Sequence, residues 1–282
     1  MKFPLDYPAL HLHNRSLFLA SPLYGNILHF GYHRSVCDLL GLCIRERIRL
    51  GMKYVGCDSL VPRARNRLAA FFLRSDCTDL LFVDSDISFL PEHALSLLAC
   101  DEPIVGGVYP RKQHDWNRIH AAARSGIPPS QLPAYGIVPV VNWAAPGDYP
   151  LDSLIEVRQL GTGFLRIRRE VFEKMIFQLG PDIAFDYSHD EEIFKGDIIG
   201  YDFFPTGPDI RYPLGSGSRQ YLSEDYAFSE MARVCGYKLY AAPWISLTHS
   251  GYCDFTGDLN ILDEGLNAAL SDSSEMPLAE MP

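Results

Sequence analysis

The sequence predicts an α/β protein: a mostly parallel sheet flanked by helices, with two long loops over the edge that would carry its site. Three observations predict it. Short apolar runs alternate with segments whose apolar residues recur at helical spacing, the pattern of strand–helix–strand units. One run, Leu80 to Val83, is continuously apolar, as a strand covered on both faces must be. It runs straight into Asp84-Ser85-Asp86. Ligands of open α/β sheets bind in the crevice outside the carboxyl ends of the strands.

The elements follow in order. Residues 16–20, SLFLA, read as a first strand ending at Ser21-Pro22. Val36, Leu39, Leu40, Cys43, Ile44 and Ile48 mark a helix over 33–50 with Gly51 as its stop. Lys53 to Val55 form a second strand ending near Asp58, and Val61 to Arg74 a helix with Leu68, Phe71 and Phe72 on its apolar face. Strand 80–83 follows. Pro91-Glu92 then opens a helix to about Cys100, proline being suited to a first turn. Residues 104–109, IVGGVY, are a short strand. Residues 110–150 hold seven prolines and few apolar runs, an excursion over one face of the sheet. Periodicity resumes from Leu154 to Ile167 around Gly161-Thr162-Gly163. Arg169 to Leu179 is a helix closed by Gly180-Pro181. A second polar loop covers 182–220. Ser223 caps a helix over 224–235 that stops at Gly236, and Lys238 to Ala241 is a last strand before His249-Ser250-Gly251. The expected organisation is one catalytic domain over 1–260 and a loosely held acidic tail over 261–282.

Composition narrows the function. An apolar fraction of 47% with 21% charged residues is ordinary for a soluble globular chain. A net charge of −10 argues against a protein that tracks nucleic-acid backbone, which needs a basic face. No apolar run approaches the ~20 residues of a membrane helix, and MKFPLDYPALHLHNR has no signal-peptide core. A cytosolic location is expected. The seven cysteines are odd in number and none is paired as C-x-x-C, so buried reduced thiols are expected instead of zinc sites or disulfides.

Two acids one residue apart at the end of a buried strand are costly unless a cation meets them. A hard divalent cation carrying phosphate oxygens suits Asp84 and Asp86. Gly161-Thr162-Gly163, Ser223-Glu224-Asp225 and His249 also fall at junctions between elements, several at the same sheet edge. Each has a plainer reading. Asp-x-Asp can be a solvated turn, and Glu224-Asp225 can compensate a helix dipole. The glycines can serve a tight turn, His249 can be a structural histidine, and Arg63, Arg65, Asn66 and Arg67 can form an exposed helix face. Trp116, Trp143, Tyr201 and Tyr212 can stack on sugars or anchor loops.

Taken in order, these motifs resemble the GT-A-type glycosyltransferases, over about residues 16–257. The resemblance rests on Asp84-Ser85-Asp86, Glu224-Asp225, His249, SLVPRARNRLAAFFL and IVGGVYPRK. It implies a Rossmann-like GT-A-like fold and transfer of a sugar from a nucleotide-diphosphate donor to an acceptor hydroxyl of a glycan or other molecule. It implies Mn2+ or Mg2+ held by Asp84, Asp86 and His249, a donor site including Ser21, Asp58, Arg63, Asn66, Arg67, Asp84, Ser85, Asp86 and Gly163, and Asp225, then Glu224, as catalytic groups. Mixed carboxylate and imidazole ligation favours Mn2+ over Ca2+.

The rivals match less of the chain. A haloacid-dehalogenase-type phosphatase places its acid pair near the start of its core, whereas a strand–helix–strand–helix block precedes Asp84. A nucleotidyltransferase opens with a Gly-rich phosphate loop, which Ser21 to Asn26 is not. A non-catalytic sugar- or nucleotide-binding protein of the same fold is separated only by assay.

Overall fold

Alternation along the strands decides the layers. Leu17, Leu19, Leu81 and Val83 pack with one hydrophobic cluster, and Phe18, Ala20, Leu80 and Phe82 with another. The sheet is therefore covered on both faces, which is why Leu80 to Val83 can be apolar without interruption. The computed structural model describes residues 12, 14–145, 147, 149–186, 199–209, 211 and 219–252.

In chain order the elements are β1 (Ser16–Leu23), α1 (Phe30–Glu46), β2 (Arg49–Gly56), α2 (Val61–Arg74), β3 (Asp79–Val83), β4 (Ile87–Ser88), α3 (Pro91–Ala99), β5 (Ile104–Gly106), α4 (Trp116–Arg124), α5 (Leu132–Tyr135), β6 (Val141–Trp143), β7 (Ile155–Leu160), β8 (Phe164–Arg168), α6 (Arg169–Ile183), β9 (Ala184–Asp186), β10 (Ile199–Tyr201), β11 (Gly207–Pro208), β12 (Tyr221–Leu222), α7 (Glu224–Val234), β13 (Leu239–Ala241) and β14 (Thr248–His249). Eight strands form the main sheet in the order β2-β1-β3-β8-β5-β13-β7-β6. β7 and β8 run against the other six, so most of the sheet shares one direction, as predicted. Helices α1 and α3 cover one face; α2, α6 and α7 cover the other. The compact unit that carries the sheet runs to Ser250. The expected acidic tail, 261–282, lies outside the described residues. Among the described residues no helix is long and apolar enough to cross a membrane.

Five expectations are corrected. Gly51 does not stop α1: the helix ends at Glu46, Arg47 takes the left-handed cap (φ 57°), and Gly51 lies inside β2. A Cβ there would come within 2.9 Å of the Phe18 ring, so the glycine serves strand packing. Gly180-Pro181 does not close α6, which continues to Ile183 with Pro181 inside it. Proline removes one donor, and the turn is closed instead by the Ala184 N–H on the Gly180 carbonyl. β1 does not end at Ser21-Pro22 but runs on to Leu23. The periodic stretch 154–167 is two strands, β7 and β8, with β5 and β13 between them in the sheet. The thiols of Cys37 and Cys57 are exposed, not buried, and all six described cysteines are free.

The two long loops carry structure. Residues 110–150 contain α4, α5 and the edge strand β6. In 182–220, β9 pairs antiparallel with β10, and β11 pairs with β12 just beyond the loop.

Candidate active site

The carboxyl end of β3 is where the predicted residues meet. Asp84, Ser85 and Asp86 form the turn between β3 and β4, and three distant segments brace it. The Asp84 N–H donates to the Gly163 carbonyl, the His29 N–H to the Ser85 carbonyl, and the Ser250 N–H to the Asp86 carbonyl. β14 pairs with β4 so that His249 lies opposite Ile87, one residue past Asp86. The 162-residue separation between Ile87 and His249 is closed by a two-residue ladder.

The orientation of His249 is informative. Its Nδ1 lies 2.8 Å from the Pro110 carbonyl oxygen, so that nitrogen carries a proton. Nε2 then faces Asp86 Oδ1 across 3.4 Å. Two acceptors facing each other need a cation between them, either a proton or a metal ion. Two ligands each about 2.1 Å from one cation leave such a gap. The backbone carbonyl behind the imidazole is the partner that metal-bound histidines use to hold their tautomer. Among the described residues no group of three metal-ligating side chains forms. A cation here would hence complete its shell with water and substrate oxygens, as Mg2+ commonly does. Burial alone would raise the Asp86 carboxyl, but hydrogen bonds from His249 and Lys112 outweigh it and bring it to about 2. Burial lowers the His249 imidazole, yet Asp86 and the Pro110 carbonyl lift it above its ordinary value.

Asp84 has a different partner. Arg65 donates to Asp84 Oδ1 at 2.9 Å through Nη2 and to Glu224 Oε1 at 3.3 Å through Nε. Its side chain is only 4% exposed, so the guanidinium is a buried bridge between the β3 turn and the start of α7. Nη1 has no hydrogen-bond partner among the described residues. The sequence assigns Arg65 only to the helix face of Arg63, Arg65, Asn66 and Arg67, not to the donor site; it is buried, not exposed, on the helical stripe shared by Leu68, Ala69 and Phe72. Asp84 is thus paired with Arg65.

Glu224 and Asp225 open α7 and divergent partners separate them. Ser223 does not cap the backbone of the helix; its hydroxyl donates to Asp225 Oδ1, which also accepts the Tyr226 N–H at 2.9 Å. The helix dipole predicts a lowered carboxyl for Asp225, and the structure reverses that. Burial first, then the Glu224 charge, raise it above the ordinary aspartate range.

Tyr109 and Lys112, from the stretch after β5, were also missed. Tyr109 is buried, stands edge-on to the His249 ring at 5.4 Å and accepts the Gly163 N–H at 3.3 Å. A Cβ on Gly163 would come within 2.8 Å of the Tyr109 ring, so the glycine is required for close packing behind the acidic turn. Lys112 Nζ lies 2.5 Å from Asp86 Oδ2.

The remaining candidates divide. Ser21 is buried at the end of β1 with its Oγ 2.5 Å from the Tyr32 hydroxyl. Asp58 accepts from Arg63 and from the Leu60 N–H, with Arg67 4.0 Å away, so these three residues form their own cluster at the start of α2. Asn66 is drawn elsewhere. Its Oδ1 accepts the N–H groups of Phe203 and Phe204 and its Nδ2 donates to Asp202, which ties 202–204 to α2. Trp143 stacks on Tyr149 at 4.6 Å, Trp116 lies against His114 and Tyr201 beside Phe203, all within their own loops; Tyr212 lies outside the described residues. A cleft of about 480 Å3 lined by α6, α7 and 205–211 contains none of the acids at the sheet edge.

No protein-family model and no curated protein matches the chain. Among solved structures, A197 from STIV aligns over 85% of this chain and 86% of its own, at 16% identity and a TM-score of 0.45. A glycosyltransferase involved in the glycosylation of the major capsid of PBCV-1 aligns over 58% of this chain and 66% of its own, at 12% identity and a TM-score of 0.29.

Proposed function

We propose that this protein is a glycosyltransferase that moves a sugar from a nucleotide-diphosphate donor to an acceptor hydroxyl, with Mn2+ or Mg2+ in the donor site. The observation that carries the proposal is the Asp86–His249 pair: a carboxylate oxygen and an imidazole nitrogen 3.4 Å apart, brought together at the carboxyl edge of the sheet. The residues present fit a divalent cation. Asp86 would hold it through a carboxylate oxygen and His249 through Nε2, which faces Asp86 while Nδ1 is committed to the Pro110 carbonyl; the cation would replace the proton between them. When bound it would supply Lewis-acid stabilisation to the departing diphosphate.

The chain's own residues supply the rest. Arg65 holds Asp84 in place, and Asp84 addresses the donor sugar or ribose instead of the cation. Arg65 also keeps one buried nitrogen, Nη1, without a hydrogen-bond partner among the described residues. Asp225 accepts the proton of the attacking hydroxyl; burial and Glu224 make it a stronger base than an exposed aspartate. Glu224 stays paired with Arg65, so the two adjacent acids have separate tasks. Ser21, Asp58, Arg63 and Arg67 line the ends of β1, β2 and the start of α2, the side of the sheet proposed for the nucleotide.

The test is metal-dependent hydrolysis of a panel of UDP- and GDP-sugars, wild type against Asp86→Ala. Hydrolysis that requires Mn2+ and is lost in the variant supports the proposal. Wild-type protein that neither hydrolyses any donor nor binds UDP or GDP in a Mn2+-dependent way refutes it.

A further inference from the structure

Asp86 is served by a cation already within the chain. Lys112 Nζ sits 2.5 Å from Oδ2, while His249 approaches Oδ1 on the other oxygen of the same carboxylate. Lys112 is 40% exposed, on the stretch that leaves β5, and Asp86 is the only acid with which it forms an ion pair among the described residues. Among the described residues no other hydrogen bond or ion pair holds the ammonium. The contact is short, charge-assisted and open to solvent, which makes it a bond that a stronger cation can displace.

We propose that Lys112 is the resident counter-ion of Asp86: it holds the carboxylate while the site lacks metal, is expelled when a divalent cation enters, and moves to the diphosphate oxygens of the donor. The inference rests on the reading of Asp86 and His249 as the metal seat. A divalent cation at that seat and an ammonium 2.5 Å from the same carboxylate repel each other. Once displaced, the ammonium has a four-carbon flexible stem and needs a new anion. The doubly charged diphosphate bound to the same cation is the nearest one the reaction brings. Lys112 therefore opposes metal binding in the absence of nucleotide and favours it in its presence. Such a device would couple metal loading to donor arrival.

The experiment is Mn2+ titration followed by the electron paramagnetic resonance signal of free Mn2+, for wild type, Lys112→Gln and Lys112→Arg, each with Mn2+ alone and with UDP or GDP added. Lys112→Gln should bind Mn2+ alone about twofold to fivefold more tightly, the upper range of one partly exposed ion pair. With nucleotide present it should bind more weakly than wild type by a similar factor. Lys112→Arg, which keeps the charge, should follow wild type in both arms. If Lys112→Gln shows no tightening with Mn2+ alone, or no weakening with nucleotide, the inference is overturned while the metal seat stands. If wild type takes up no Mn2+ in either arm, the metal seat and the inference fall together.

Discussion

Replacing Arg65 with methionine removes a buried cation and keeps most of its volume. The guanidinium is 4% exposed and joins Asp84 and Glu224, whose side chains are 25% and 19% exposed. Removing one partner of a buried ion pair costs about 3–5 kcal/mol, because the charge left behind has lost its solvation and its partner. Here two carboxylates are stranded, but each retains some water, so the low end applies: about 3 kcal/mol. With a urea m-value of about 3 kcal/mol per molar, the midpoint should fall by about 1 M. Urea unfolding followed by far-UV circular dichroism measures it. The combination Arg65→Met with Asp84→Asn and Glu224→Gln should recover much of the loss, since no buried charge then remains unpaired. A single-variant loss below about 1 kcal/mol, the scale of a surface pair, would refute the bridge as a buried structural element.

Other outcomes follow from the same geometry. Asp225→Asn should lower turnover by roughly 10²–10⁴-fold with donor affinity retained, the loss of one general base; a product anomer identical to the donor's would reassign Asp225 to positioning the acceptor. Because burial and Glu224 raise the Asp225 carboxyl, the acid limb of the wild-type rate profile should lie above the ordinary aspartate value of about 3.9. Mn2+ affinity should rise with pH through a step above the ordinary histidine value of about 6.5, since a proton held on His249 by Asp86 competes with the metal, and His249→Gln should abolish that step. Gly163→Ala should cost about 1–3 kcal/mol in thermal or chemical unfolding, because its Cβ would meet Tyr109 and Ile87 at the back of the acidic turn; a neutral change would mean that the turn can shift freely.

Much of the fold is legible in the chain because burial leaves a period in the sequence. β3 reads as a strand from four consecutive apolar residues, α2 as a helix from its stripe, and α7 as a helix from Ser223 at its start and Gly236 at its stop. Asp84-Ser85-Asp86 stands out because acids at a buried strand end are expensive. What pairs with those acids is not periodic, and so it is not written locally. That Arg65 bridges Asp84 to Glu224, 159 residues further along than itself, depends on α2 and α7 packing on the same face of the sheet. That His249 faces Asp86 depends on the two-residue ladder between β14 and β4. The helix position of Asp225 predicts one direction for its carboxyl, and burial beside Glu224 favours the other, because desolvation and like charge there outweigh the Ser223 and Tyr226 hydrogen bonds and the Arg65 charge. The sequence by itself determined which residues are costly to leave alone; only the tertiary structure decided which partner each one received, since that choice is made by contacts between segments far apart in the chain.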